Sequence, residues 1–183
     1  MKPTKALFLF LAALALTACS SDPQWVDPEA HEKTEQLRKQ YTPIIAGTWH
    51  VEYVKDKGRF FERLTFSVDG TFTGMRKWQT RKLVTIDGEE QYTDWQDFVD
   101  YNGKFTGTWK LSWERDKEGA PGANRLWLSA VVDENHDRTY YAYDLNALFI
   151  HADETTLSFT GGFVPNGVDG ETVYTRGDAE PSF

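Results

Sequence analysis

The sequence predicts an all-β fold, an antiparallel up-and-down barrel of about eight or nine strands preceded by one short helix. Three observations carry that prediction. Apolar and polar residues alternate with a period of two from residue 46 to residue 177. The dipeptides Asp69-Gly70, Asp87-Gly88 and Asn102-Gly103 lie between alternating runs, where a tight turn needs positive φ and glycine supplies it at little cost. Helical spacing is confined to the stretch before residue 46. Many half-buried strands in sequence order favour a closed barrel over an open sheet, because closure removes exposed edges.

The chain begins with a positive flank, Lys2 and Lys5, followed by the apolar run Ala6 to Leu16. That run is too short to span a bilayer comfortably, so an export signal is favoured over a transmembrane anchor. Leu16-Thr17-Ala18-Cys19 resembles the lipobox of bacterial lipoproteins. The resemblance implies removal of residues 1–18 and acylation of Cys19, the only cysteine. Ser20 follows the cysteine where an Asp would retain such a protein in the inner membrane, so the resemblance implies the outer membrane of the cell envelope, with palmitate-type lipid as anchor. Two or three acyl chains, at about 0.8 kcal/mol per buried methylene, hold a soluble domain firmly.

Residues 19–27 read as a polar lipidated tether. Residues 28–45 read as a helix and linker: Asp27-Pro28 is an N-cap acid followed by proline at the first helical position. Ala30, Thr34, Leu37 and Tyr41 then form a narrow apolar stripe that is expected to end before Pro43. So thin a stripe suits a helix lying on the barrel or spacing it from the membrane, rather than one that binds a partner.

The barrel is expected over residues 46–177, with 178–183 as a tail. Trp49, Val51 and Tyr53 share a face, as do Phe60, Leu64 and Phe66, and as do Phe105, Gly107, Trp109, Leu111 and Trp113. Further strands are expected at 125–132, 139–150, 156–163 and 172–176, with residues 119–122 as a loop. At Asp69-Gly70 a three-residue loop, Val68 to Gly70, pairs Ser67 with Thr71. It sets Phe66 opposite Phe72, Leu64 opposite Gly74, Glu62 opposite Arg76 and Phe60 opposite Trp78. A two-residue turn would leave Phe72 facing Ser67. In the preferred register Glu62 and Arg76 point inward together, where each satisfies the other.

Gly47-Thr48-Trp49 on the first strand resembles the Gly-x-Trp signature of lipocalins. Phe66-x-x-Asp69-Gly70-Thr71-Phe72, Gly107-Thr108-Trp109 and Tyr174-x-Arg176 are similar to the lipocalin-like domains of bacterial lipoproteins. The resemblance spans residues 46–177. It implies that Trp49 packs at the closed end of the barrel beneath Arg176. It also implies that the barrel carries or senses a small, often hydrophobic or amphipathic molecule, and it does not imply catalysis.

The candidate ligand pocket comprises Glu62, Arg76, Trp78, Trp109 and Trp113. The Glu62–Arg76 pair reads first as a device that fixes strand register and second as a polar contact for a ligand head group. Asp94, Asp97 and Asp100 interleave with Trp95, Phe98, Val99 and Tyr101, which suits an edge strand or, alternatively, a pocket rim for a cation or sugar. Asp133, Asn135 and Asp137 have the spacing with which a calcium loop opens, with Asp144 at the twelfth place, but Arg138 stands where that loop needs glycine, so a solvated turn is favoured. His31, His50, His136 and His151 show no metal-ligand spacing, and no metal or cofactor is expected. No nucleophile elbow, zinc-protease helix or phosphate loop is present, so an enzyme is not expected.

The formal net charge is −8 and becomes −10 once Lys2 and Lys5 leave with residues 1–18. That balance disfavours nucleic acid as a partner. With Cys19 acylated, no disulfide can form within the chain, and stability must come from the core. The expected function is therefore that of a membrane-anchored, monomeric, lipocalin-like lipoprotein with a small ligand. The alternative is an envelope interaction module or inhibitor with a filled barrel. A hollow barrel favours the first and a packed one the second.

Overall fold

The computed structural model describes residues 26–98, 102–132, 140–161 and 171–183. Helix α1 (Pro28–Ile45) starts where Asp27-Pro28 places it: the Asp27 carboxylate accepts from the Glu29 amide at 3.0 Å, and Pro28 sits in the first turn, where no amide donor is needed. The expected stop before Pro43 is corrected. The helix continues through Pro43 to Ile45 and closes with the Ala46 amide donating to the Thr42 carbonyl at 2.9 Å. Pro43 stands in the last turn with its ring exposed, at the cost of the hydrogen bond that an N–H there would give to the Lys39 carbonyl. The extension delivers Ile45, fully buried, to the core beside Leu37.

The strands follow in chain order: β1 (Gly47–Val54), β2 (Gly58–Phe66), β3 (Thr71–Thr80), β4 (Leu83–Ile86), β5 (Glu89–Tyr92), β6 (Gln96–Asp97), β7 (Gly103–Glu114), β8 (Ala123–Val132), β9 (Tyr140–Ala152), β10 (Thr156–Thr160) and β11 (Glu171–Arg176). Antiparallel pairing runs β1–β2–β3–β7–β8–β9–β10–β11. Trp49 opposite Arg176 and His50 opposite Thr175 join β11 back to β1, which closes an eight-stranded up-and-down barrel. A separate hairpin, β4–β5, turns on Asp87 and Gly88, at φ 54° and 87°.

The β2–β3 register is the one the hairpin arithmetic predicts, with Phe66, Leu64, Glu62 and Phe60 opposite Phe72, Gly74, Arg76 and Trp78. The Ser67 amide donates to the Thr71 carbonyl at 2.9 Å, and Gly70 holds φ at 86°, the left-handed conformation a three-residue loop requires. The Asp69 carboxylate accepts from the Thr71 amide at 2.9 Å and from its hydroxyl at 2.6 Å, which holds its pKa below the ordinary value.

Asn102-Gly103 is not the hairpin turn its composition predicts. The chain leaves β3 at Thr80, makes the β4–β5 hairpin, lays the two residues of β6 along the edge of β3, and only then enters β7. Asn102 ends the excursion by pairing its side-chain amide with the backbone of Trp78, accepting from its N–H at 2.5 Å and donating to its C=O at 3.0 Å. Gly103 then takes its place opposite Arg76.

β3 pairs with β7 only as far as Thr108, while β7 runs on to Glu114. Helix α1 covers the edge left over. Arg38 Nε donates to the Leu111 carbonyl at 2.8 Å, and the Thr34 hydroxyl accepts from the Trp113 amide at 2.9 Å. A free strand edge is thereby satisfied from outside the sheet. Among the described residues no helix is long and apolar enough to cross a membrane.

Strand β10 ends at Thr160, short of the expected residue 163. Residues 162–170 lie outside the described residues, as do Cys19 with the tether to residue 25, residues 99–101, and residues 133–139, which carry most of the calcium-like spacing.

Candidate functional site

Four strands converge on one polar cluster in the barrel interior. Glu62 stands mid-strand on β2 and Arg76 opposite it on β3, with 0% and 1% exposure. Arg76 Nε donates to Glu62 Oε2 at 2.7 Å and Nη2 reaches the same oxygen at 2.5 Å. Glu62 Oε1 accepts from the Tyr174 hydroxyl at 2.6 Å, from β11, and from the Tyr143 hydroxyl, from β9. Burial, and then the Glu62 charge, push both phenols above their usual pKa. Burial opposes the Arg76 charge, but Glu62 and Tyr143 outweigh it, and the guanidinium is held more firmly protonated than usual. The Phe60, Phe105 and Tyr143 rings lie 5.9, 5.3 and 4.8 Å from its centre.

Apolar layers fill the barrel on both sides of this cluster. Toward the β2–β3 turn stand Leu64, then Phe66, Phe72 and Trp109, with Phe66 5.2 Å from the Trp109 ring. Toward the mouth Phe60, without exposure, meets Trp78 edge-on at 6.1 Å, and Trp78 stacks on Phe98 at 4.3 Å. The five residues expected to share a ligand pocket do not line one cavity. Glu62 and Arg76 are bound to each other, with Glu62 also taken by the two tyrosines, Trp78 lies one layer nearer the mouth, and Trp109 lies at the opposite end with its Nε1 donating to the Ser67 carbonyl at 2.9 Å. Trp113 packs against α1 with Lys33 4.2 Å above its ring, because at that point β7 has passed the end of β3 and its inner side meets the helix. Tyr143 and Tyr174 complete the cluster. Both fall in strands that the sequence predicts, but nothing in their spacing marked the carboxylate they share.

At the closed end, the Arg176 guanidinium lies 4.5 Å from the Trp49 ring, as the lipocalin resemblance implies. Trp49 is fully buried, and its Nε1 donates to the Ile45 carbonyl at 2.7 Å. Arg176 also donates to the carbonyls of Ile44 and Ala46, where α1 ends without a basic residue in its last turn. The cation thus meets the negative end of the helix dipole. Gly47, at φ 133°, lets the backbone pass here: a Cβ would lie 2.8 Å from Arg176 Nη1.

The outer face of β2 and β3 carries a second arrangement that sequence reasoning missed. Arg59 lies 4.4 Å from the Trp95 ring and 4.6 Å from the Phe183 ring, while Arg81 lies 4.4 Å from Trp95 and 4.2 Å from Tyr92. The aromatic face that an external cation would use at Trp95 is occupied by the protein's own guanidinium groups. Asp97 lies on the edge strand β6, and its carboxylate accepts from Gln79 at 2.6 Å. A groove of about 390 Å³ runs nearby on the outside of the barrel, along Thr48, Thr65, Thr73 and Thr106, between Arg63 and Lys104.

Among the described residues no three His, Cys, Asp or Glu side chains stand together as a metal site. His50 Nδ1 lies 3.0 Å from the Gly177 carbonyl and His151 Nε2 3.0 Å from the Asp153 carboxylate, on different strands. Comparison with family models, with curated proteins and with solved structures finds no match for this chain.

Proposed function

We propose that this chain is a lipid-anchored envelope protein whose barrel is a filled, rigid scaffold presenting its outer surface to a protein partner. The observation that carries this reading is the occupied interior. Trp49, Phe60, Glu62, Leu64 and Tyr174 have no exposure, so the chain's own side chains take up the space in which a lipocalin-like barrel would hold a small molecule. Anchorage through acylated Cys19 is supported by the lipobox resemblance of Leu16 to Cys19, and the outer membrane by Ser20 directly after it. The acidic balance supports a protein partner over nucleic acid. The role assigned is binding, not catalysis.

A second reading keeps a small hydrophobic or amphipathic ligand but moves it to the mouth. The stacked Trp78–Phe98 pair supports it, since Phe98 is 38% exposed. One experiment separates the two. Protein purified from its native envelope is weighed intact under non-denaturing conditions, and a photoreactive residue at Ile86, in the exposed β4–β5 hairpin, is cross-linked in place. The scaffold reading expects the mass of the acylated polypeptide alone and a discrete protein adduct. A molecule retained one to one, and lost in Trp78→Ala, would replace it with the ligand reading.

A further inference from the structure

Phe60 and Phe61 are adjacent in β2 and therefore face opposite sides of the sheet. Phe60 points into the barrel. Phe61 points outward between Glu52 and Lys77, its register partners on β1 and β3, yet it has no exposure either. Its two flanking residues are both bound by the segment that follows β11. Ser182 bonds to Glu52 through its amide and its hydroxyl, and Lys77 donates to the Phe183 carbonyl. The Phe183 ring lies 4.6 Å from Arg59 and 5.0 Å from Lys77. Upstream, Arg63 Nη1 donates to the Asp178 carboxylate at 2.7 Å, the Ala179 carbonyl at 3.0 Å and the Glu180 carboxylate at 2.7 Å.

These contacts describe a recognition surface. Arg59, Arg63 and Lys77 make a basic face on an acidic protein, with the Phe61 ring as its apolar floor. The segment lying on it offers a carboxylate, a second carboxylate two residues later and an aromatic ring three residues beyond that. Arginine clusters are a recurrent way of reading acidic peptide motifs, and the ring adds an anchor. The two charge pairs that hold the segment are exchangeable, because its carboxylates are 78% and 75% exposed and their contacts with Arg63 are open to water and salt. It adds no strand to the sheet.

We infer that the outer face of β1–β3 is a docking surface for an acidic, aromatic-bearing peptide segment of the partner protein, and that residues 178–183 occupy it in cis. The inference deepens the scaffold reading and rests on it. Because the segment follows directly from Arg176, its effective concentration at the face is on the order of millimolar or higher, and a partner segment must outcompete it.

The test uses the full chain and a fluorescent synthetic peptide with the sequence of residues 177–183. The variant carrying Asp178→Lys, Glu180→Lys and Phe183→Ala should free the face and bind the peptide at least tenfold more tightly than the unsubstituted chain. Adding Arg63→Glu, or using a peptide whose two carboxylates are amides, should abolish the gain. A folded variant that binds no more tightly, or that binds the amide peptide equally well, overturns the inference. Should the triple variant not fold, Asp178→Lys alone is held to the same criterion with a smaller expected gain of about threefold, and no gain overturns the inference. Cross-links from Ile86 without peptide binding overturn this docking surface while leaving the scaffold reading in place.

Discussion

Glu62 on β2 and Arg76 on β3 form a buried ion pair whose second carboxylate oxygen gathers the hydroxyls of Tyr143 and Tyr174 from β9 and β11. One acid thus ties together strands from opposite sides of the barrel. Removing its charge strands a buried guanidinium, so Glu62→Gln is expected to cost about 3–5 kcal/mol in urea unfolding. Replacing Glu62→Leu, Arg76→Met, Tyr143→Phe and Tyr174→Phe together removes the charge along with the groups that Glu62 binds, and stability should recover much of the loss. A loss below about 1 kcal/mol in Glu62→Gln would contradict the burial of the pair.

Arg176 acts on both a ring and a helix end. Arg176 is exposed, so Arg176→Met should lose a cation–π contact worth about 0.5–1 kcal/mol along with solvent-screened bonds to the α1 carbonyls, for a total of about 1–2 kcal/mol. Near-ultraviolet circular dichroism should report the altered surroundings of Trp49. Lysine lacks the flat fork that stacks and donates at once, so Arg176→Lys should recover only part of the loss.

The two clustered phenols predict the alkaline limit of stability. Their folded pKa values are raised, by burial first and by Glu62 second, above the value of about 10 expected when unfolded. Below that pH both are neutral in either state and contribute no pH dependence. Above it the unfolded chain releases protons that the folded chain retains, so stability falls by about 1.4 kcal/mol per pH unit for each group. Spectrophotometric titration at 295 nm should show that two of the eight tyrosines ionise only as the protein unfolds. Free ionisation of all eight in the folded state would contradict the cluster.

Anchorage makes the simplest demand. Cys19→Ser removes the only thiol, so incorporation of labelled palmitate and normal processing should both disappear. Label retained by the variant would rule out Cys19 as the acylated residue.

Where local chemistry and global packing ask for the same thing, the sequence was readable. Asp69-Gly70 allows several turn lengths, but only one keeps Phe66 and Phe72 on a shared face, and that register brought Glu62 to Arg76. Asp27-Pro28 marked the start of α1 for equally local reasons. Asn102-Gly103 misled because the same dipeptide serves a tight turn and a strand entry, and what separates them is Trp78, twenty-four residues upstream. Trp113 kept the inward phase of β7, but its neighbour on that side is α1, a contact no periodicity encodes. The covered outer face did leave one sign, the adjacent pair Phe60-Phe61, which breaks the alternation that a strand with a solvated side should keep.

The amide clamp of Asn102 on Trp78 also separates two things that usually vary together. Because the clamp sets where β7 rejoins β3, and because β4 and β5 pair only with each other, the hairpin from Leu83 to Tyr92 is expected to change in length or composition without shifting the pairs of the barrel. It is a cassette bounded by fixed splice points. Diversification there would alter what the barrel presents while the stave-like walls keep their alignment, and a foreign hairpin grafted in place of residues 83–92 should leave the β3–β6 and β3–β7 ladders intact.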